Sequence, residues 1–248
     1  LNARRPPVTQ AVRHLPRFSS LRVLSRVTKA SGADLGVAFC TDANRATFID
    51  DRGNLLGPDV VAALFISMLP ERSTVVTSNY ASSLVDRVSA DRKVRVVRVR
   101  GSTGDVVRQV RRHRAAFGFT SGGEFIFPAF SPSPDGILAL CKLLELLSHR
   151  ERSLSTLVSA LPQVSYYHKA VSVNPEHIER VMHEIYIKYT NSVHEVVSVK
   201  VAVDNRVCVV EPDPEGGRIV VKTEDSSQAG RDAVDKLVED IELLASSF

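Results

Sequence analysis

The apolar positions of this chain change their spacing repeatedly, and the changes mark out its elements. Leu21, Leu24 and Val27 predict an amphipathic helix capped by Ser19-Ser20. Gly32 stops it, so Lys29-Ala30-Ser31-Gly32 reads as a helix C-terminus. Leu35 to Phe39 and Ala46 to Asp50 then read as strands, with Asp51-Arg52-Gly53-Asn54 as a turn. Pro58 opens a helix to about Leu69, with Val61, Leu64, Phe65 and Met68 apolar. From there strands and helices alternate. Strands are expected over 74–77, 94–99, 115–117 and 125–127, and helices over 81–88, 104–113 and 134–147. This alternation predicts an α/β layered architecture around a largely parallel sheet.

The composition turns polar over Ser148 to Ser153, which places a domain boundary there. A short helix is expected over 153–161 and an extended segment over 164–173. Asn174-Pro175 caps a helix whose face carries Ile178, Val181, Ile185 and Tyr189. Strands over 196–203, 206–210 and 218–221 precede a last helix over 227–245. Adjacent strands flanked by helices predict an α+β unit. Residues 4–17 are rich in Arg and Pro and show no period.

Composition narrows the class. At 248 residues, with 44% apolar and 24% charged positions, the chain reads as globular and able to form one to three domains. No apolar run approaches the roughly 20 residues of a membrane helix. The three cysteines, Cys40, Cys141 and Cys208, show no metal-ligand spacing, which fits a reducing cytoplasm. The net charge is +4, and basic residues cluster between 92 and 114: Arg92, Lys93, Arg95, Arg98, Arg100, Arg108, Arg111, Arg112 and Arg114. A solvated strand edge and helix face explains them; attraction of a sugar phosphate or nucleic acid is the functional alternative. No aromatic residue interleaves the cluster.

The strand ending in Cys40-Thr41-Asp42-Ala43-Asn44-Arg45, with a second strand behind it, resembles the metal loop of the α-D-phosphohexomutases, the family of phosphomannomutases, phosphoglucomutases and phosphoglucosamine mutases. That loop reads Asp-Gly-Asp-x-Asp-Arg, and its three aspartates hold Mg2+. Cys40 and Asn44 stand in place of two of them; Asp42 and Arg45 remain. Thr103-Gly104-Asp105, Phe125-Ile126-Phe127-Pro128, Asp135-Gly136-Ile137 and Leu161-Pro162 follow in the family's order, and the sequence is most similar to its archaeal branch. The resemblance implies the end of the family's second domain over 1–56, a three-layer α/β third domain over 57–150, and a C-terminal α+β domain like the TATA-binding protein over 151–248. The first domain, which carries the phosphoserine loop, has no counterpart here, so no catalytic residue is expected.

The resemblance also predicts degenerate site loops. One carboxylate is left in the metal loop, so Asp42 offers at most a weak Mg2+ ligand and no cofactor is expected. The family's sugar-contacting Glu falls at Thr120, beside Ser121, while Glu124 reads as a solvated carboxylate at a strand end. The phosphate loop, Arg-Pro-Ser-x-Thr-Glu-Pro in the family, becomes Val210 to Gly217, with Glu211, Asp213 and Glu215 where a phosphate would sit and Gly216 beside them. One anion site remains, the helix-opening turn Ser102-Thr103-Gly104 between Arg100 and Arg108. The expectation is a phosphohexomutase-like pseudoenzyme with a binding, assembly or regulatory role. It would engage a protein partner or a second copy over the surface the first domain would cover. Sugar phosphate is not expected as its ligand. The alternatives are a subunit or fragment of an active sugar-phosphate mutase completed by another chain, and a nucleic-acid-associated module using residues 92–114.

Overall fold

A computed structural model describes residues 18–100, 102–150, 152–189, 193–194, 198–213 and 217–248. Helix α1 (Phe18–Ser31) leads into strands β1 (Leu35–Phe39), β2 (Ala46–Asp50) and β3 (Leu55–Leu56), which form a three-stranded antiparallel sheet. Gly32 at φ +65° ends α1 in the left-handed conformation that glycine adopts readily. The helix faces the sheet through Leu21, Leu24 and Thr28. Val27, expected on that face, is 56% exposed, while Thr28 is buried. The reason is close approach: a Cβ at Gly36 would lie 2.3 Å from Thr28 Oγ1, so the glycine lets helix and strand touch.

The central unit contains α2 (Pro58–Ile66), β4 (Thr74–Ser78), α3 (Ser83–Asp91), β5 (Arg95–Val99), α4 (Thr103–Arg112), β6 (Phe117–Phe119), β7 (Phe125–Ile126) and α5 (Gly136–Arg150). Its sheet has the order β5-β4-β6-β7, with β4 parallel to β5 and β6 and only β7 antiparallel. Helix α4 covers one face through Val106 and Val110. The other face carries α2, α3 and α5 around a cluster of phenylalanines, including Phe65, Phe117, Phe125 and Phe127, with ring centroids 5.1–6.3 Å apart. The result is three layers, as the alternation of elements predicts. β6 lies two residues beyond its expected start because Phe117 and Phe119, rather than Ala115, pair with β4. Helix α2 ends at Ile66, short of Leu69. Phe48 and Leu56 from the first sheet and Leu154 from α6 (Leu154–Ser159) enter the same core.

A second core begins at Val171. Strands β8 (Tyr167–Ser172), β9 (Val193–His194), β10 (Val199–Val203), β11 (Arg206–Asp213) and β12 (Arg218–Thr223) form an antiparallel sheet of order β8-β12-β11-β10-β9. Helices α7 (Ile178–Lys188) and α8 (Gln228–Ser246) pack on one of its faces. Asp204 and Asn205, both at positive φ, make the two-residue turn between β10 and β11. β11 runs three residues past Val210. Among the described residues the β10–β11 ladder ends at the Val199–Val210 pair, so the N–H that Pro212 lacks breaks no described ladder bond on that side.

Candidate functional site

Three separate segments meet at Glu124. The Cys40–Arg45 turn is closed by Ala43 N–H donating to Cys40 O (3.0 Å) and Cys40 N–H to Arg45 O (3.2 Å). It is clamped by α5, whose Gly136 N–H donates to Ala43 O at 2.9 Å. A Cβ at Gly136 would stand 2.7 Å from that same oxygen, so only glycine permits the contact. Arg45 is thereby aimed at Glu124 and donates through Nε (3.2 Å) and Nη2 (3.1 Å) to Oε1. Thr103 Oγ1 (2.6 Å) and Thr120 Oγ1 (2.7 Å) donate to Oε2. Glu124 is 3% exposed. The expected solvated carboxylate is therefore a buried hub with four hydrogen bonds, and its charge is balanced by Arg45. Ser121, also buried, shares a hydrogen bond of 3.2 Å with Ser78.

The remains of the metal loop are bonded to one another. Cys40 Sγ donates to Asp42 Oδ1 at 2.7 Å, while Asn44 donates to Asp42 through its backbone N–H (3.2 Å) and Nδ2 (2.9 Å). Burial, then the bond to Asp42, pushes the Cys40 thiol pKa up, which favours the protonated form. A hard dication needs converging oxygen lone pairs. Here three donors converge on one carboxylate instead, and among the described residues no group of three His, Cys, Asp or Glu side chains could hold a metal. This donor set does not fit Mg2+.

The helix-opening turn supplies its own anion. Asp105 folds back at the start of α4, and its Oδ2 accepts from Ser102 N–H (2.8 Å) and Ser102 Oγ (2.9 Å). Arg108 pairs with the other oxygen. The Ser102 side chain and backbone bonds hold the Asp105 carboxyl pKa below the usual range. The expected anion site at Arg100, Ser102, Thr103, Gly104 and Arg108 is thus internally engaged at Ser102, Thr103 and Arg108, whereas Arg100 is exposed.

Of the phosphate-loop residues, the structure describes Glu211 and Asp213, and it does not join them to this hub. Glu211 and Asp213 lie in β11 rather than in a loop, and each is neutralised across the sheet: Glu211 by Lys222 at 2.6 Å, Asp213 by Arg218 at 2.8 Å. Glu215 and Gly216 lie outside the described residues.

A cleft of about 760 Å3 separates the central unit from the C-terminal sheet, and sequence patterning gave no warning of it. Lys200 from β10 crosses it to Asp59 on α2 at 2.7 Å, with both side chains under a tenth exposed. Glu224 accepts Ser83 N–H at 2.8 Å, and Arg87 donates to Gln163 O at 2.7 Å. Tyr166 borders the cleft beside Glu224; burial and then the Glu224 charge raise its pKa. The basic residues of 92–114 are mostly exposed. Arg95 and Arg98 lie on β5, an edge strand that such charges shield from unwanted pairing.

Residues 57–165 match the family model for phosphoglucomutase/phosphomannomutase, alpha/beta/alpha domain III. The "Probable phosphoglucosamine mutase" of Methanococcoides burtonii is 30% identical over 231 residues, covering 91% of this chain and 52% of that protein. The phosphoglucosamine/phosphogalactosamine mutase of Sulfurisphaera tokodaii is 28% identical over 86% of this chain and 47% of its own length. The chain thus spans about half the length of these relatives. A solved phosphoglucomutase/phosphomannomutase family protein from Burkholderia thailandensis shares the fold, with a TM-score of 0.61 at 17% identity, over 91% of this chain and 50% of that one. Fold, order of loops and relatives agree: the chain belongs to the α-D-phosphohexomutase family.

Proposed function

We propose that this chain is a phosphohexomutase-family member that serves as a binding or assembly subunit and does not itself transfer phosphoryl groups. The observation that carries the reading is the Glu124 hub. Phosphoryl transfer needs cationic groups and donors aimed at the reacting phosphate. Arg45 and Thr103 are instead aimed at Glu124, and Asp105 occupies Ser102 and Arg108. No catalytic residue, Mg2+ or sugar phosphate is assigned. Division of the chain into 1–56, 57–150 and 151–248 is part of the same reading, with the second boundary moved beyond α6, because Leu154 packs in the first core and Val171 in the second. So is the likeness of the antiparallel sheet and its two helices to the TATA-binding protein. Among the described residues no helix is long and apolar enough to cross a membrane, and we place the protein in the cytoplasm.

The half-length match to the relatives favours a second reading: a subunit of a sugar-phosphate mutase completed by another polypeptide. A coupled assay of glucose 1-phosphate, mannose 1-phosphate and glucosamine 1-phosphate conversion, with Mg2+ and a bisphosphate activator, separates the two. We expect no turnover above buffer, with or without an added first half of a relative. Turnover only in the mixture establishes the second reading.

A further inference from the structure

The basic residues between 92 and 114 read as one cluster in sequence, but the central sheet divides them between its two ends. β4, β5 and β6 are parallel, so their first residues share one end of the sheet and their last residues the other. The Glu124 hub lies at the end where the strands finish: Thr103 follows β5 and Thr120 follows β6. Arg98 and Arg108 are engaged on that side by Asp86 and Asp105, and Arg100 directly follows β5. Main-chain bonds tie the strand starts together. Arg72 N–H donates to Lys93 O (3.0 Å), Arg95 N–H to Ser73 O (2.9 Å) and Ala116 N–H to Thr74 O (2.9 Å). These bonds gather Arg72, Arg95 and Arg114 at one end of the sheet, beside Arg111 and Arg112 in the last turn of α4.

All five of these side chains are exposed, and among the described residues none of their guanidinium groups meets a carboxylate or a carbonyl. The neighbouring cations do: Lys93 pairs with Glu71 at 3.0 Å, and Arg92 donates to Leu69 O at 3.1 Å. Elsewhere pairing is common. In the C-terminal unit Lys169, Lys188, Arg206, Arg218, Lys222 and Lys236 each face a carboxylate. The backbone does not call for long cations at the strand starts either. Arg72, Lys93 and Arg114 stand at φ +64°, +53° and +47°, where glycine fits with less strain.

Unpaired arginines suit a phosphate-bearing partner, because the planar guanidinium fork matches two phosphate oxygens at once. Among the described residues from 71 to 116 no large apolar side chain is exposed. The surface therefore offers nothing to insert into a bilayer and no ring on which an unpaired base could stack. Neighbouring strands stand about 4.8 Å apart, so the three strand starts spread over about 10 Å, enough to follow several charges of a duplex that carries one per about 1.7 Å. We propose that the strand-start end of the central sheet, through Arg72, Arg95, Arg111, Arg112 and Arg114, docks the phosphate backbone of a nucleic-acid duplex without reading its sequence. The surface lies at the opposite end of the sheet from the Glu124 hub, so the proposal holds whether or not the protein turns over sugar phosphate.

The test is fluorescence anisotropy of the 248-residue chain with labelled two-turn duplexes of DNA and of RNA, read across a salt series, with phosphatidylcholine–phosphatidylserine vesicles as a second probe. Five phosphate contacts predict a slope of log affinity against log salt of about −4.5, roughly a 500-fold loss between about 50 and 200 mM salt. Binding to either duplex supports the proposal, and the tighter one names the backbone. Arg72→Gly/Arg95→Gln/Arg114→Gly should weaken binding at least about tenfold at about 50 mM salt and flatten the slope by about 2.7. Glycine fits the backbone at both positive-φ positions, so this variant should fold; Arg111→Glu/Arg112→Glu on α4 tests the same surface without touching the strand starts. Arg98→Gln/Arg100→Gln/Arg108→Gln removes as much charge at the hub end and should change affinity less than about twofold. No duplex binding at about 50 mM salt overturns the proposal, as does binding to the vesicles alone. So does duplex binding that is indifferent to both strand-start variants, or that the hub-end variant weakens as much, since another surface or net charge then governs it.

Discussion

Replacing Lys200 by methionine should destabilise the chain by about 3–5 kcal/mol, the usual cost of removing one partner from a buried ion pair. Lys200 Nζ lies 2.7 Å from Asp59 Oδ2 and 3.4 Å from Tyr80 O. The two side chains are 8% and 9% exposed, so water gives little screening. Methionine keeps the length of the apolar stem, which holds the cavity contribution small. What changes is the environment of Asp59: its Oδ2 keeps the N–H of Ser82 at 2.9 Å, and its Oδ1 already lacks a partner. A buried carboxylate is then left with one main-chain donor. Asp59→Asn should cost a similar amount, because it strands the ammonium. The Asp59→Asn/Lys200→Met double variant should lose about 1–3 kcal/mol less than the sum of the singles, because neither charge is then left alone. The chain has no tryptophan, so urea unfolding is followed by circular dichroism and tyrosine fluorescence. Because the pair joins the central unit to the C-terminal sheet, Lys200→Met should also split one unfolding transition into two. A cost below about 1 kcal/mol, or strict additivity in the double variant, would refute the reasoning.

Gly36→Ala should cost about 1–3 kcal/mol by overpacking against Thr28, and Thr28→Ala in the same chain should recover most of it; thermal melts that show no recovery disprove the contact. The Asp51 carboxyl is pushed up by burial but pulled further down by the N–H (2.7 Å) and hydroxyl (2.8 Å) of Ser155, so its folded pKa lies below its unfolded one. Its stabilisation is therefore present above the ordinary carboxylate pKa and lost as pH falls through the folded value; Asp51→Asn should flatten the acid limb of urea midpoints below about pH 4, and an unchanged limb counts against it. Cys141 is exposed while Cys40 and Cys208 are buried, with the Cys208 thiol pushed up to about 11 by burial, so titration with a thiol reagent at pH 8 should show one fast thiol in the native chain. Two or more fast thiols would contradict the packing.

The layered fold was readable because its core strands are short apolar runs separated by amphipathic helices. Errors fell where tertiary contact overrides local pattern. Val27 has the right spacing for a buried face, yet Thr28 is buried because Gly36 lets the helix approach there. The strand expected over 206–210 continues to Asp213, because β12 pairs with it through the Asp213–Arg218 pair. The site loops were legible as a set of substitutions, but their outcome was not. Glu124 reads as a polar strand end because its counter-ion, Arg45, lies 79 residues away in sequence. Asp59 and Lys200, 141 residues apart, read as an ordinary first-turn acid and a strand lysine, and nothing local announces their burial together.

The central claim is that the Cys40–Arg45 loop satisfies its own carboxylate and has no place for a dication. Calorimetric titration of Mg2+ into the native chain and into Cys40→Asp/Asn44→Asp tests it most directly. The native chain should give no saturable heat, and the double variant, with three carboxylates restored to one turn, should bind. Saturable binding to the native chain with a dissociation constant in the low micromolar range, lost on Asp42→Ala, would contradict the account.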